Sequence, residues 1–406
     1  EVIGETGDFI LADFIYRLHR DLNVPYGLYF MGFVTLFFFF MVISGVVIHA
    51  RKLLSNFFQY RTKTNERSQL LDMHNVVGTI SLPFTIMYAL SGLVFNLVII
   101  YQIAFAVILY KGDQEALLHD AGVHSIEQEW LGTPYNAENI DSLVNRYTQE
   151  FGNIPMLVRM QNYGDKNAVM HLIGDVDNVF AQRFEIGIKL IDESELFRDD
   201  VQMHSEVRHG TGVLRELHYG SFAGVDLRLV YFVLSIAVCA LIVTGNLLWI
   251  EKRQKRYKES QRSVHVMKQL TLVSTLGVGV ACCFIFLVER LMPLDLANRP
   301  DILIRSFIFV LLAATVASFY VDKQRYLVGS LAVSSGLLLT TVLSDWLIFS
   351  DHLLQLLSNK EYTVFGVQLG ITFIACLFAI IAKALHQKQP LIDIVESDEL
   401  TQAIAS

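Results

Sequence analysis

The chain reads as a membrane-embedded, all-α bundle of seven transmembrane helices with a small α+β domain inserted into it. Three observations predict this. Hydrophobic residues make up 53% of the 406, charged residues only 18%, and mean hydropathy is +0.43, more apolar surface than a soluble chain of this length can readily hide. Seven stretches carry no Asp, Glu, Lys or Arg: residues 22–50, 73–110, 229–250, 269–288, 306–321, 326–344 and 362–382. One long polar stretch, 111–225, separates the second of these from the third and carries strand and turn chemistry.

Residues 1–21 form an N-terminal segment, and 22–110 supply two spans joined by a basic loop. A helix needs roughly 20 apolar residues to cross the hydrocarbon, which six of the seven runs satisfy. The run 306–321 is short, but Arg305 can snorkel outward and let the helix start earlier. Loop 51–67 carries Arg51, Lys52, Arg61, Lys63 and Arg67; loop 251–268 carries Lys252, Arg253, Lys255, Arg256, Lys258, Arg262 and Lys268. The positive-inside bias makes both cytoplasmic. Segment 111–225 is then outside, 226–250 is one span, 269–384 holds four more, and 385–406 is a cytoplasmic tail. The same alternation puts Glu1 outside with neither an initiator Met nor a signal-like segment before it, so an earlier transmembrane helix is expected upstream. The net charge of −8 is spread over the outer segment and the termini, and no nucleic-acid partner is expected; the partner surface is membrane lipid.

Within 111–225, residues 137–151 place Ile140, Leu143, Val144 and Tyr147 on one helical face. Met156–Gln161, Asn167–Ile173 and Val179–Ile186 read as strands separated by the turn sequences NYGD and GDVDN. A small antiparallel sheet against one helix follows. Cys239, Cys282, Cys283 and Cys376 all fall in spans without CxxC spacing, so they read as small buried hydrophobes. Neither a disulfide scaffold nor iron–sulfur ligation is expected.

Histidines carry the functional signal. His19 stands just before the first uncharged run, His49 near its end, His74 at the opening of the second, and His218 ahead of the third. An imidazole at the mouth of a lipid-spanning helix is costly unless it binds or relays something, and histidine is the commonest metal and haem ligand. A membrane haem protein is the hypothesis these four positions raise. A single juxtamembrane histidine is more often an interfacial residue; four at paired ends reverse that weighting. His119, His124 and His171 read as ordinary residues of the outer domain, His265 as interfacial, and His352 has no visible partner. Gly45, Gly78, Gly92 and Gly245 let a macrocycle or a neighbouring helix approach the backbone. Phe37–Phe40 reads as lipid contact, and Trp249 and Trp346 as interfacial anchors.

The segment FIYRLHRDLNVPYGLYFMGF, then ISGVVIHARKLLSNFFQYRTKTNERSQLLDMHNVVGTISLPF, and later LHYGSFAGVDLRLVYFVLSIAVCALIVTGNLLWIEKR resemble the PepSY-associated transmembrane family. That family includes iron-regulated inner-membrane proteins and haem-containing ferric-siderophore reductases. The resemblance covers roughly residues 5–250 and implies a bacterial inner-membrane protein with a periplasmic, PepSY-like domain. In the family a helix bearing its own histidine normally precedes the part seen here.

The resemblance also implies two b-type haems, one near each face of the membrane. Residue positions then assign His49 and His74 to the inner haem and His19 and His218 to the outer one, with His204 and His209 as competitors for the outer site. His19 and His49 are 30 residues apart, roughly 45 Å if fully helical, which one haem cannot bridge; Pro25 interrupts that helix. The implied function is electron transfer from a cytoplasmic or quinol donor to a ferric siderophore or other ferric chelate outside, a ferric-chelate reductase. Arg198, Arg208 and Arg215 are candidates to hold an anionic chelate, solvated surface charge being the simpler reading. Two rivals stand beside this: a non-enzymatic sensor whose outer domain binds a partner, and a transporter, which calls for helices charged or broken at the midplane and for which Pro83, within the second span, is the only such feature.

Overall fold

The structure, a computed structural model, describes residues 10–52, 60–61, 65–121, 128–176, 180–181, 183–200, 205–256, 261–348 and 353–387. It is a helical membrane protein with a four-stranded antiparallel sheet set between helices in the chain. Contacts divide it into two units. The first comprises Glu1–Gly27, Tyr60–His74 and Ala240–Ser406; the second, Leu28–Gln59 and Asn75–Cys239.

Among the described residues, six helices are long and apolar enough to cross a membrane: Gly27–His49, Val225–Gln254, Arg262–Leu291, Arg299–Tyr320, Lys323–Ile348 and Tyr362–Gln387. A seventh span exists only if the pair Arg67–Ile80 and Leu82–Asn96, bent by 69°, counts as one. The run 73–110, expected to be a single span, is three helices: α3 (Glu66–Ile80), α4 (Leu82–Asn96) and α5 (Val98–Leu109). Pro83, in the first turn of α4, has no N–H, and its ring opposes the carbonyl four residues back. Hydroxyls bond backbone groups around the break: Ser81 Oγ donates to the Val77 carbonyl at 2.8 Å and Thr85 Oγ1 to that of Ser81 at 2.8 Å.

Two further helices precede α3. α1 (Ile10–Asp21) ends before the first uncharged run, and α2 (Gly27–His49) fills most of it. Between them Leu22, Asn23 and Tyr26 have φ of 60°, 55° and 60°, so the 30-residue rise from His19 to His49 is not continuous. Instead α1 buries Ile10 and Phe14 against Ala281, Ile285, Leu303 and Phe307. Its apolar positions recur with helical period, which gives it one burying face.

The second unit contains the sheet. A short α6 (Gln114–Asp120) is capped by the Asp113 side chain. Then α7 (Ile140–Phe151) ends at Gly152, whose φ of 78° closes the helix without a Cβ clash. Strands β1 (Leu157–Gln161), β2 (Val169–Asp175), β3 (Arg183–Lys189) and β4 (Glu195–Asp199) form a meander in the order β1-β2-β3-β4. Alternation puts Met170, Leu172, Phe184, Ile186 and Ile188 on one face, where they bury Leu143, Tyr147 and Phe151 of α7. Three strands fall close to the expected positions. The fourth, ELFRD, is too polar to read as a strand.

After the sheet come α8 (Glu206–Tyr219) and the long α9 (Val225–Arg256). The first unit continues with α10 (Gln261–Leu272), a π turn at Val273–Gly277, α11 (Val278–Leu291), α12 (Arg299–Tyr320), α13 (Lys323–Ile348), the short α14 (Leu353–Ser358) and α15 (Tyr362–Gln387). These helices outrun the uncharged stretches and carry charge into the bundle. Arg299, 6% exposed, donates to Glu289 at 2.8 Å; Arg290 pairs with Asp345, which also accepts from Gln368 at 3.1 Å. The short run 306–321 is extended in this way, its helix starting at Arg299 beside Pro300.

Candidate functional site

Two of the four histidines are held in the same manner. His218 lies in the last turn of α8 and ends against α4: its Nδ1 is 2.7 Å from Ser91 Oγ. Ser91 Oγ in turn donates to the Met87 carbonyl at 2.7 Å. With the hydroxyl proton committed there, Ser91 accepts from Nδ1–H, and the lone pair of the neutral ring falls on Nε2. Tyr88 and Phe95 set their ring edges against the imidazole at centroid distances of 4.8 and 5.3 Å.

The end of α8 that carries His218 is fastened by phenols. Tyr88 donates to the His218 carbonyl at 3.1 Å and Tyr231 to that of Leu217 at 2.8 Å, so two of the helix's terminal carbonyls are satisfied. Gly220 ends the helix at φ 61°, and a Cβ there would lie 2.9 Å from the Tyr231 ring.

His74, in α3, repeats the arrangement with α9. Its Nδ1 is 2.9 Å from Thr244 Oγ1, which donates to the Ala240 carbonyl at 2.8 Å. Thr244 therefore accepts from Nδ1–H, and Nε2 again holds the lone pair. The next residue explains how the ring fits: a Cβ on Gly245 would lie 3.2 Å from His74 Cε1. Neither hydroxyl was singled out by sequence reading, although both directly precede glycines that were, Gly92 and Gly245.

The other two predicted ligands are placed differently. His49 is the last residue of α2 and is exposed. His19 is in the last turn of α1 and is exposed. His19 and His74 belong to the first unit, His49 and His218 to the second, so each expected pair is divided between the units.

Among the competitors, His209 is half-buried in the first turns of α8, and His204 lies outside the described residues, as do His124 and His352. His171 is 7% exposed within β2, its Nε2 3.8 Å from Glu185 and its ring edge-on to Phe197 at 5.5 Å. His119 is exposed at the end of α6, and His265 meets the Phe319 ring at 5.9 Å.

The candidate chelate arginines are mostly engaged. Arg198 pairs with Glu150 at 2.6 Å and Glu195 at 2.7 Å and lies over the Tyr147 and Phe151 rings; those pairs hold its guanidinium above its usual pKa. Burial, and then the bond its hydroxyl donates to Glu195 at 2.7 Å, push the Tyr147 phenol up to about 12. Arg208 pairs with Asp199 at 2.6 Å. Arg215 lies 3.8 Å from Glu216.

A search of the curated proteins returned no match. The family model described as the PepSY-associated TM region matches residues 1–252, a stretch that takes in His19, His49, His74, His218 and both positioning hydroxyls. The chain belongs to the PepSY-associated TM family.

Proposed function

We propose that this protein is a di-haem b electron carrier of the bacterial inner membrane. In this reading it reduces ferric iron held by a siderophore or other chelate at the periplasmic face, for iron uptake. The observation that carries it is the repeated setting of His74 and His218. In both, Nδ1 is engaged by a hydroxyl whose own proton is committed to a helix carbonyl, the kind of partner that orients a metal-ligating imidazole. Two such imidazoles suit axial ligation of haem iron, and no CxxCH attachment sequence is present in the chain, so b-type haem is the fitting form.

His74 and His218 would each hold one haem, with His49 and His19 as the second ligands assigned by position. Bound there, haem supplies one-electron redox chemistry. The chain's own residues fix ring orientation and tautomer through Ser91 and Thr244, and shield the His218 ring with Tyr88 and Phe95. The positive-inside bias of the basic loops supports a reading in which a cytoplasmic or quinol donor feeds electrons to an acceptor on the outer side. One-electron reduction of the acceptor releases iron because oxygen chelators grip the ferrous ion far less tightly than the ferric.

One observation favours a second reading, a transporter: the 69° break at Ser81 is of the kind transporters use for binding sites. The Ser81 and Thr85 hydroxyls at the break bond the Val77 and Ser81 carbonyls, which also accept backbone N–H groups. A reduced-minus-oxidised spectrum decides. Full-length protein from haem-replete cells should show low-spin b haem at two equivalents; a well-folded preparation without haem would remove the reductase reading and promote the sensor or the transporter.

A further inference from the structure

A layer of charge lies between the sheet and α8, and it leaves one cation underserved. Gly212 of α8 sits so close that a Cβ there would come within 2.6 Å of the Ala181 carbonyl. Around this contact Arg183 donates to Asp175 at 2.9 Å and to Glu216 at 2.8 Å. The second oxygen of Glu216 accepts from Ser221 Oγ, and Arg208 takes Asp199 at 2.6 Å with Glu185 at 3.8 Å. The carboxylates of the layer are thus claimed by Arg183, Arg208 and Ser221.

Arg215 is the third arginine. Its Nε is buried and makes no hydrogen bond among the described residues, and the Glu216 carboxylate beside it, 3.8 Å away, is already bonded at both oxygens. Burial pushes its guanidinium pKa down, and Arg183 and Arg208 add to the effect. The side chain as a whole is 36% exposed, so the guanidinium is open to an anion from outside the layer, and a carboxylate matches its fork of donors. Position supplies the source. Arg215 precedes His218 by three residues, so the two are neighbours on the α8 surface, with Arg215 lying between the sheet-facing positions 208, 212 and 216 and the position of His218.

We propose that Arg215 binds a carboxylate of the group ligated by His218, the propionate of a haem. The assignment rests on the haem reading above. An external ferric chelate offers the same carboxylate chemistry, and the two sources separate experimentally.

The full chain in nanodiscs, as wild type, R215Q and R215K, is stripped and reconstituted with haem or with haem dimethyl ester, which lacks the anionic carboxylates. Ferric citrate binding is measured in parallel by equilibrium dialysis. Wild type should prefer haem over the ester by about tenfold at the His218 site, the scale of one charge-assisted bond. R215Q should lose that preference, R215K should keep part of it, and citrate binding should stay level across all three. Intact haem at the His74 site reports that R215Q is folded. Wild-type preference in R215Q overturns the proposal, as does a loss of citrate binding with the ester preference intact. A wild type that takes up no haem overturns the haem reading itself and this assignment with it.

Discussion

Single atoms decide what the two half-buried imidazoles of His74 and His218 can do. A hydroxyl that has given its proton to a helix carbonyl can only accept, and that sets the tautomer of His74 and of His218. Removing the hydroxyl while keeping the shape takes from Nδ1–H the acceptor that orients the ring. Thr244→Val and Ser91→Ala should therefore lower haem affinity at their sites by about 10–100-fold, while Thr244→Ser stays near wild type; haem transfer to apomyoglobin measures it. Equal transfer rates for Thr244→Val and wild type would show that Thr244 does not position a ligand. The histidines themselves are the sharper test: His49→Ala or His74→Ala should each remove about one haem equivalent and leave the outer spectrum intact, and full low-spin content in both would exclude them as ligands.

Asp165 shows the same logic in the sheet domain. Its burial works against ionisation, but the backbone amides of Asn167, Thr133 and Leu131 outweigh that and hold the carboxyl below its ordinary pKa. A depressed folded pKa gives stability that is complete above the unfolded value, near 3.9, and is lost as pH falls through the folded one. The domain should accordingly lose stability below about pH 4, and Asp165→Ala should flatten that part of the acid-unfolding curve. An unchanged curve would show that Asp165 does not contribute.

Elements differ in how far the sequence reveals them. The apolar face of α7 and three of the strands follow from period and turn residues, because local pattern and burial agree there. β4 escaped because its residues are chosen for partners, Glu195 for Tyr147 and Arg198, and Asp199 for Arg208. The break in 73–110 was signalled by Pro83, but not its size of 69°. Histidines at span ends were legible because they are costly there. Their hydroxyl partners were not, lying 127 and 170 residues away in the chain.

Counting uncharged runs also hid the ion pairs of the last four spans, since each helix extends past its run. Asp345 joins three helices through Arg290 of α11 and Gln368 of α15. Removing Asp345 takes a partner from Arg290, whose side chain is 32% exposed, so Asp345→Ala should lower bundle stability by less than the roughly 3–5 kcal/mol of a fully buried pair. Removing both charges in Asp345→Ala with Arg290→Met should recover much of it. Unfolding in mixed micelles measures both, and a double variant as weak as the single one would show that the stranded charge is not the cause.

At the scale of the whole molecule, the proposed function requires that electron arrival be separable from electron delivery. In the proposed orientation, which follows the positive-inside bias, the basic loops beside His49 and His74 would face the cytoplasm and the segment containing His218 would face out. Loss of His218 therefore removes the last carrier before the acceptor and leaves the first in place. His218→Ala in oriented vesicles should still take electrons from a donor on the inner side into the His74 haem, yet fail to reduce a ferric siderophore added outside. Rapid mixing distinguishes the two halves: wild type reoxidises its haems as ferrous iron appears, whereas the variant stalls with the inner haem reduced. If the variant generated ferrous iron at the wild-type rate, the outer carrier would have to be built on histidines other than His218, or iron would have to be reduced at the inner face.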